Sequence, residues 1–158
     1  MELRTKVIAL EGKNDLQIHR DFEISVEHLF MAYTEAEIIS QWMGTNVLKL
    51  ESKKHGSFQF ETTDPENNKL KFNGVIHDLI QNEIIVRTFE FEGIGLGVQL
   101  ETLKFIKLNN NSSKLEVHSL FQSVEKRNLQ LKMPFEFGLS MAHNKLELIQ
   151  KNKYGESK

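Results

Sequence analysis

An acidic and a basic residue stand at matching distances on either side of a short glycine-rich turn. Pairing the two flanking segments symmetrically about Ile94 sets Arg87 directly opposite Glu101. Opposed residues of an antiparallel pair lie on one face of the sheet, with Cβ atoms about 5 Å apart. The same face carries Ile85, Phe89, Leu103 and Phe105. We therefore predict that this face is the concave, buried one and that Arg87 and Glu101 form an ion pair on it.

An ion pair in such a place has a definite chemical use. A guanidinium can donate two parallel hydrogen bonds to a carboxylate or a carbonyl, so Arg87 would orient the polar end of an apolar ligand. The alternative interpretation is a β-bulge in the hairpin that turns both side chains into solvent.

The other residue types that could do chemistry give no catalytic or metal-binding pattern. The sequence contains no H-x-H, H-E-x-x-H or H-x3-H spacing and no G-x-S-x-G motif. It has no cysteine for a disulfide, a thiolate metal site or a thiol nucleophile. We therefore expect no metal, no cofactor and no catalytic residue, which leaves an enzymatic activity uncertain and not favoured. His143 lies beside the apolar face of the last predicted helix, either as a buried, hydrogen-bonded histidine or as a ligand contact.

The composition limits the classes of partner. The formal net charge is −2 and the isoelectric point is about 6.3, and no Lys/Arg stripe occurs, so we expect neither nucleic acid nor an acidic membrane as a partner. A length of 158 residues predicts one domain, with residues 152–158 as a frayed tail. No apolar run has spanning length and the start is too polar for a signal peptide, so we expect a cytoplasmic location.

Two short helices are predicted directly after a first strand. Period-two alternation predicts the strand over residues 16–24. Ser25 is a typical N-cap for a helix over residues 26–33. Thr34 and Glu37 have the spacing of a capping box, which predicts that a second short helix begins at Thr34.

The remaining elements predict a sheet that wraps around one long helix. Strands with hairpin connections are predicted over residues 46–53, 57–62, 70–80, 83–91, 97–108 and 114–122. A helical piece over residues 123–132 precedes a long helix over residues 134–151. Only this last helix is long enough to fill the concave side of a curved antiparallel sheet. We therefore predict an α+β helix-grip fold.

The aromatic residues predict a cavity inside this fold. Phenylalanine occurs 11 times and tyrosine twice, which indicates an aromatic, dry interior. A helix-grip fold leaves a space between the sheet, the last helix and the two short helices, and the only tryptophan lies on the second short helix. A solid aromatic core is the alternative. The predicted cavity residues are Trp42, Phe58, Phe60, Phe72, Arg87, Phe89, Glu101, Leu103, Phe105, Phe121, Phe135, Leu139 and His143.

A series of short motifs supports the same fold. In order they are Arg20-x-Phe22, Phe30-x-Ala32-x-Thr34, Gln41-Trp42-x-Gly44, Gly56-x-Phe58, Phe72-x-Gly74-Val75, Val86-x-Thr88, Phe89-Glu90-Phe91-Glu92-Gly93 and Phe121-x-Ser123-x-Glu125-x-Arg127. Over about residues 18–150 this series resembles the activator of heat-shock-protein-90-ATPase homologue family, within the START and birch-pollen-allergen-like (SRPBCC) superfamily. The resemblance implies a helix-grip domain with an internal cavity and favours a binding protein for a small hydrophobic molecule. It leaves open a chaperone-interacting protein or a cavity enzyme of the polyketide cyclase or aromatase type.

Overall fold

The computed structural model describes residues 3–154, and within them eight antiparallel strands form one curved sheet. The strands are β1 Lys6–Ile8, β2 Asp15–Phe22, β3 Asn46–Leu50, β4 Ser57–Thr63, β5 Lys69–Ile80, β6 Ile84–Phe91, β7 Val98–Asn109 and β8 Ser112–Leu120. Their spatial order is β1-β2-β8-β7-β6-β5-β4-β3, so the strands from β3 to β8 form the predicted meander and β2 pairs with β8. The sequence pattern does not predict β1, because three residues are too few to show a period of two.

Register shifts bend the sheet at three strand pairings, and the hairpin that carries the predicted ion pair is not one of them. The register shifts after Val47 in β3, after Ile76 in β5 and after Lys107 in β7. A bulge of this kind bends its strand and increases the local twist. The β6–β7 pairing has no such shift, and Arg87 lies directly opposite Glu101 as predicted. The alternative of a bulge in this hairpin is therefore wrong.

Four helices occur within the described residues, and the longest packs against the first two. They are α1 Val26–Thr34, α2 Ala36–Met43, α3 Val124–Leu131 and α4 Phe135–Tyr154. The helix α4 contacts α1, α2 and β1. The curved antiparallel sheet and the long C-terminal helix confirm the helix-grip fold. Within residues 3–154, none of the helices is both long and apolar enough to cross a membrane.

The two short helices follow one another with different caps. The Ser25 side chain accepts a hydrogen bond from the backbone N–H of His28 at 3.2 Å, which confirms the first cap. The capping box is wrong, because Thr34 is the last residue of α1 and its hydroxyl donates to the Phe30 carbonyl at 3.0 Å. Glu35 takes the N-cap position of α2 without a side-chain bond. Gly44 ends α2 in the left-handed conformation, at φ 64°.

The helix α4 extends further than the sequence predicts. Residues 152–154 continue the helix, while residues 155–158 of the predicted frayed tail lie outside the described residues. The Tyr154 ring stacks on the His28 ring with centroids 3.9 Å apart. This contact ties the last turn of α4 to α1, and a local sequence pattern cannot indicate it.

Candidate ligand-binding cavity

A cavity of about 500 Å³ lies between the concave face of the sheet, α2 and the first half of α4. Most of the residues predicted to line it do so: Trp42, Phe60, Phe72, Arg87, Phe89, Glu101, Leu103, Phe135, Leu139 and His143. The interior is therefore not a solid aromatic core, because the rings from β4, β5 and β6 stop short of α4. Met133 and Pro134, in the loop before α4, and Gly138 also line the cavity but are exposed, so they mark its open side.

Three of the predicted residues are fully buried in the core and do not line the cavity. Phe58 lies on Gly74 of the neighbouring strand, where a Cβ atom would be 2.4 Å from the phenylalanine ring. Phe105 packs edge-on against Phe30, with ring centroids 5.0 Å apart. Phe121 follows the end of β8 and is 2% exposed. Strand alternation predicts the correct face, but the distance along the strand from the cavity decides which rings reach it.

Sequence reasoning missed several cavity residues, in two groups. The first group lies on strands and helices at inward positions that the sequence analysis did not name, together with Leu96 of the β6–β7 turn: Ile18, Tyr33, Ile39, Met43, Phe91, Leu96, Gln99, Val117, Ser119 and Ala142. The second group surrounds the α3–α4 loop: Gln130, Met133, Pro134 and Gly138. The hairpin register could have found Gln99, which pairs with Phe89, whereas no local signal places the loop over the cavity.

The helix α4 presents an apolar stripe to the cavity and a polar stripe to the protein interior. Phe135, Leu139 and Ala142 are only partly buried because they face the cavity. Ser140 and Gln150 are fully buried on the other stripe, against the N-terminal segment and α1. These three apolar residues are less buried than the two polar ones, which is unusual for a helix that packs on a closed core. The pattern follows from the cavity that lies beside α4.

The tryptophan is fixed as part of the cavity wall. Its indole N–H donates to the carbonyl of Ala32 at 2.7 Å, so the ring of Trp42 cannot turn freely. The ring of Tyr33 lies beside it, with centroids 5.2 Å apart. Both residues line the cavity from the side of the two short helices.

The predicted ion pair lies in the cavity wall. The Arg87 Nε–H donates to Glu101 Oε1 at 2.9 Å, and the side chains are 12% and 15% exposed. The guanidinium lies 5.1 Å from the ring centroid of Phe58 and 5.5 Å from that of Phe89. The ring of Phe58 thus packs against the guanidinium of Arg87, although Phe58 itself does not line the cavity. Among the described residues, neither Nη group of Arg87 has a hydrogen-bond acceptor.

His143 lies deep in the wall and is hydrogen-bonded at both ring nitrogens. Nδ1 is 2.8 Å from the Thr5 hydroxyl and Nε2 is 3.3 Å from the Tyr33 hydroxyl. Burial, with a smaller contribution from the charge of Arg20, lowers the pKa of His143 to about 3. The ring is therefore neutral at ordinary pH. A buried, hydrogen-bonded histidine was one of the two predicted interpretations, and its contact with a ligand stays a prediction.

A family model gives the chain its place among known proteins. The model described as Activator of Hsp90 ATPase homolog 1-like protein matches residues 23–150. The chain belongs to this family. The match confirms the resemblance seen in the ordered motifs, and its limits lie close to the predicted range of residues 18–150. The comparison with curated proteins found no match.

Solved structures share the fold of this family member at low sequence identity. A Rhodobacter sphaeroides protein is 17% identical with a TM-score of 0.83, and the alignment covers 93% of this chain and 99% of that one. A Mycobacterium smegmatis protein is 17% identical with a TM-score of 0.82, covering 92% and 95% of the two chains. A Staphylococcus epidermidis protein is 18% identical with a TM-score of 0.77, covering 100% and 98%. At these identities the likeness establishes the helix-grip fold.

Proposed function

We propose that the protein binds a small hydrophobic molecule that carries a carboxylate or carbonyl group. The supporting observation is an ion pair that lines an apolar cavity and leaves hydrogen-bond donors unused. Arg87 donates only its Nε–H to Glu101. Both Nη groups can therefore donate to two acceptor oxygens of a ligand. Glu101 holds the guanidinium in place and offsets its charge.

The size and lining of the cavity fit such a molecule. A volume of about 500 Å³ lies within the range of about 300–1,000 Å³ that is typical of small-molecule sites. Aromatic and aliphatic side chains supply most of the wall, and burying a ligand's apolar surface there gives roughly 25 cal/mol per Å². The open side at Met133 and Pro134 offers a route for the ligand.

Titration with 2-naphthoate tests this proposal. Because Trp42 lines the cavity, its fluorescence should change when the ligand binds. Ala142→Phe fills the space next to α4 and should abolish this change. Leu148→Phe is the matched control, because Leu148 is 59% exposed on the same helix. Equal binding by both variants, or no binding by the wild-type protein, would contradict the proposal. The chaperone-interacting and cavity-enzyme alternatives stay predictions.

A further inference from the structure

A chain of buried hydrogen bonds runs from the far side of α4 to the cavity. Glu147 Oε1 lies 3.4 Å from Arg20 Nη2, and Arg20 Nη1 donates to the hydroxyl of Thr5 at 3.2 Å. The Thr5 hydroxyl lies 2.8 Å from Nδ1 of His143, and Nε2 of His143 lies 3.3 Å from the hydroxyl of Tyr33. Tyr33 and His143 both line the cavity, so the chain ends there.

The first residues of the chain fix the direction of its hydrogen bonds. A guanidinium has donors and no acceptor, so the Thr5 oxygen must accept from Arg20. Thr5 is fully buried, and within residues 3–154 the acceptor available to its hydroxyl proton is Nδ1 of His143. Nδ1 therefore accepts, and the neutral ring carries its proton on Nε2. The positive charge of Arg20 on the Nδ1 side favours the same tautomer.

The tautomer of His143 determines what Tyr33 can offer. Nε2–H donates to the phenol oxygen, so the phenol proton is not used within the chain. Burial raises the pKa of Tyr33 above its ordinary value, with smaller effects from the charges of Arg87, Glu101 and Arg20, so the phenol stays protonated. Tyr33, Arg87 and Glu101 all line the same cavity.

We propose that this hydrogen-bond chain makes Tyr33 a dedicated donor to an acceptor oxygen of the ligand, so that the cavity selects aromatic ketones and similar carbonyl compounds over hydrocarbons of the same shape. Tyr33 is the ligand-contacting residue in this scheme, and His143 is a positioning residue that acts through it. The inference rests on the proposed binding function and adds a second, uncharged donor to the ligand oxygen beside the free Nη groups of Arg87.

A matched pair of three-ring probes, 9-fluorenone and fluorene, separates the two proposals. They differ in one carbonyl group and both are small enough for the cavity. Tyr33→Phe removes only the hydroxyl, so the fluorenone-to-fluorene affinity ratio should fall about fivefold, while fluorene affinity stays within about twofold. The infrared carbonyl stretch of bound fluorenone should move to higher frequency in this variant, because a hydrogen bond to the carbonyl is lost.

The outcomes have distinct meanings. If neither probe binds the wild-type protein, the proposed function fails. If fluorene and fluorenone bind but Tyr33→Phe leaves both the ratio and the carbonyl stretch unchanged, this inference alone fails.

Nitrogen-15 NMR of the wild-type histidine rings needs no variant and tests the positioning step. We expect His143 to carry its proton on Nε2, and a proton on Nδ1 would overturn the assigned direction.

Discussion

Two ion pairs in this protein, one buried and one partly buried, are built in opposite ways. The pair between Arg20 and Glu147 is closed: their side chains are 0% and 7% exposed and further donors surround the carboxylate. The pair between Arg87 and Glu101 is open: it has one hydrogen bond, and its side chains are 12% and 15% exposed in the wall of a cavity. The closed pair fastens elements together, whereas the open pair keeps donors for a ligand.

The surroundings of Glu147 explain why the closed pair is structural. Arg4 donates to its carboxylate at 2.7 Å, and the backbone N–H of Glu23 donates to it as well. Burial alone would raise the pKa of Glu147, but the hydrogen bonds from Arg4 and Glu23 and the charges of Arg4 and Arg20 hold it below its usual value. These contacts join α4 to the N-terminal segment and to the end of β2.

Breaking the closed pair should have the largest effect. Glu147→Gln leaves the buried guanidinium of Arg20 without a counter-charge, so the free energy of unfolding should fall by about 3–5 kcal/mol. Urea denaturation measures this difference. Glu23→Gln is the control, because Glu23 pairs with Lys151 while 72% exposed and should leave stability nearly unchanged. Equal stability of the two variants would mean that Glu147 does not fasten α4.

The neutral, buried ring of His143, which the hydrogen-bond chain connects to the closed pair, should make the free energy of unfolding depend on pH. The pKa of His143 is about 3 in the folded protein and about 6.5 in an unfolded chain, so below pH 6.5 the unfolded state binds more protons. The contribution of His143 to stability is therefore fully present above about pH 6.5 and falls as the pH drops, by about 3 kcal/mol between pH 7 and pH 4. Denaturation at several pH values should show this loss, and His143→Gln should reduce its slope. An unchanged slope in the variant would contradict the burial of a neutral ring.

Breaking the open pair should cost less than breaking the closed one. Glu101→Gln should lower the free energy of unfolding by about 1–3 kcal/mol, because solvent in the cavity can reach the remaining guanidinium. Replacing both residues, Arg87→Phe with Glu101→Val, should recover much of the loss. Glu61→Gln is the control. Glu61 on β4 lies directly opposite Lys71 on β5, but the side chains are 20% and 44% exposed, so this variant should leave stability nearly unchanged. A loss at Glu101 as large as that at Glu147 would remove the distinction between the pairs.

The two pairs also differ in how far the sequence predicts them. Arg87 and Glu101 flank one turn, so symmetric pairing about Ile94 predicts their register and their shared face. Arg20 and Glu147 are 127 residues apart, and only the docking of α4 brings them together. Local pattern carries information about neighbours in a hairpin and none about such a distant contact.

The same contrast between local pattern and tertiary contact explains which of the other predictions from the sequence were wrong. The Thr34–Glu37 spacing fits a capping box, but the hydroxyl of Thr34 bonds within α1, which ends one residue before the N-cap of α2. The fold class, the meander and the aromatic part of the cavity wall follow from alternation and from helix caps, whereas more of the lining residues were missed than predicted. The position of the α3–α4 loop and the polar stripe of α4 depend on tertiary packing, which those patterns do not contain.

The most direct test of the account asks whether the open pair recognises a charged group on a ligand. A neutral pair, Arg87→Gln with Glu101→Gln, keeps side chains that can hydrogen-bond to each other and removes both charges. Calorimetric titration with 2-naphthoate and with 2-methylnaphthalene compares ligands that differ mainly in the carboxylate. We predict that the neutral pair binds 2-naphthoate about tenfold more weakly and 2-methylnaphthalene within about threefold of the wild type. Equal changes for the two ligands would contradict the claim that Arg87 and Glu101 form a binding site.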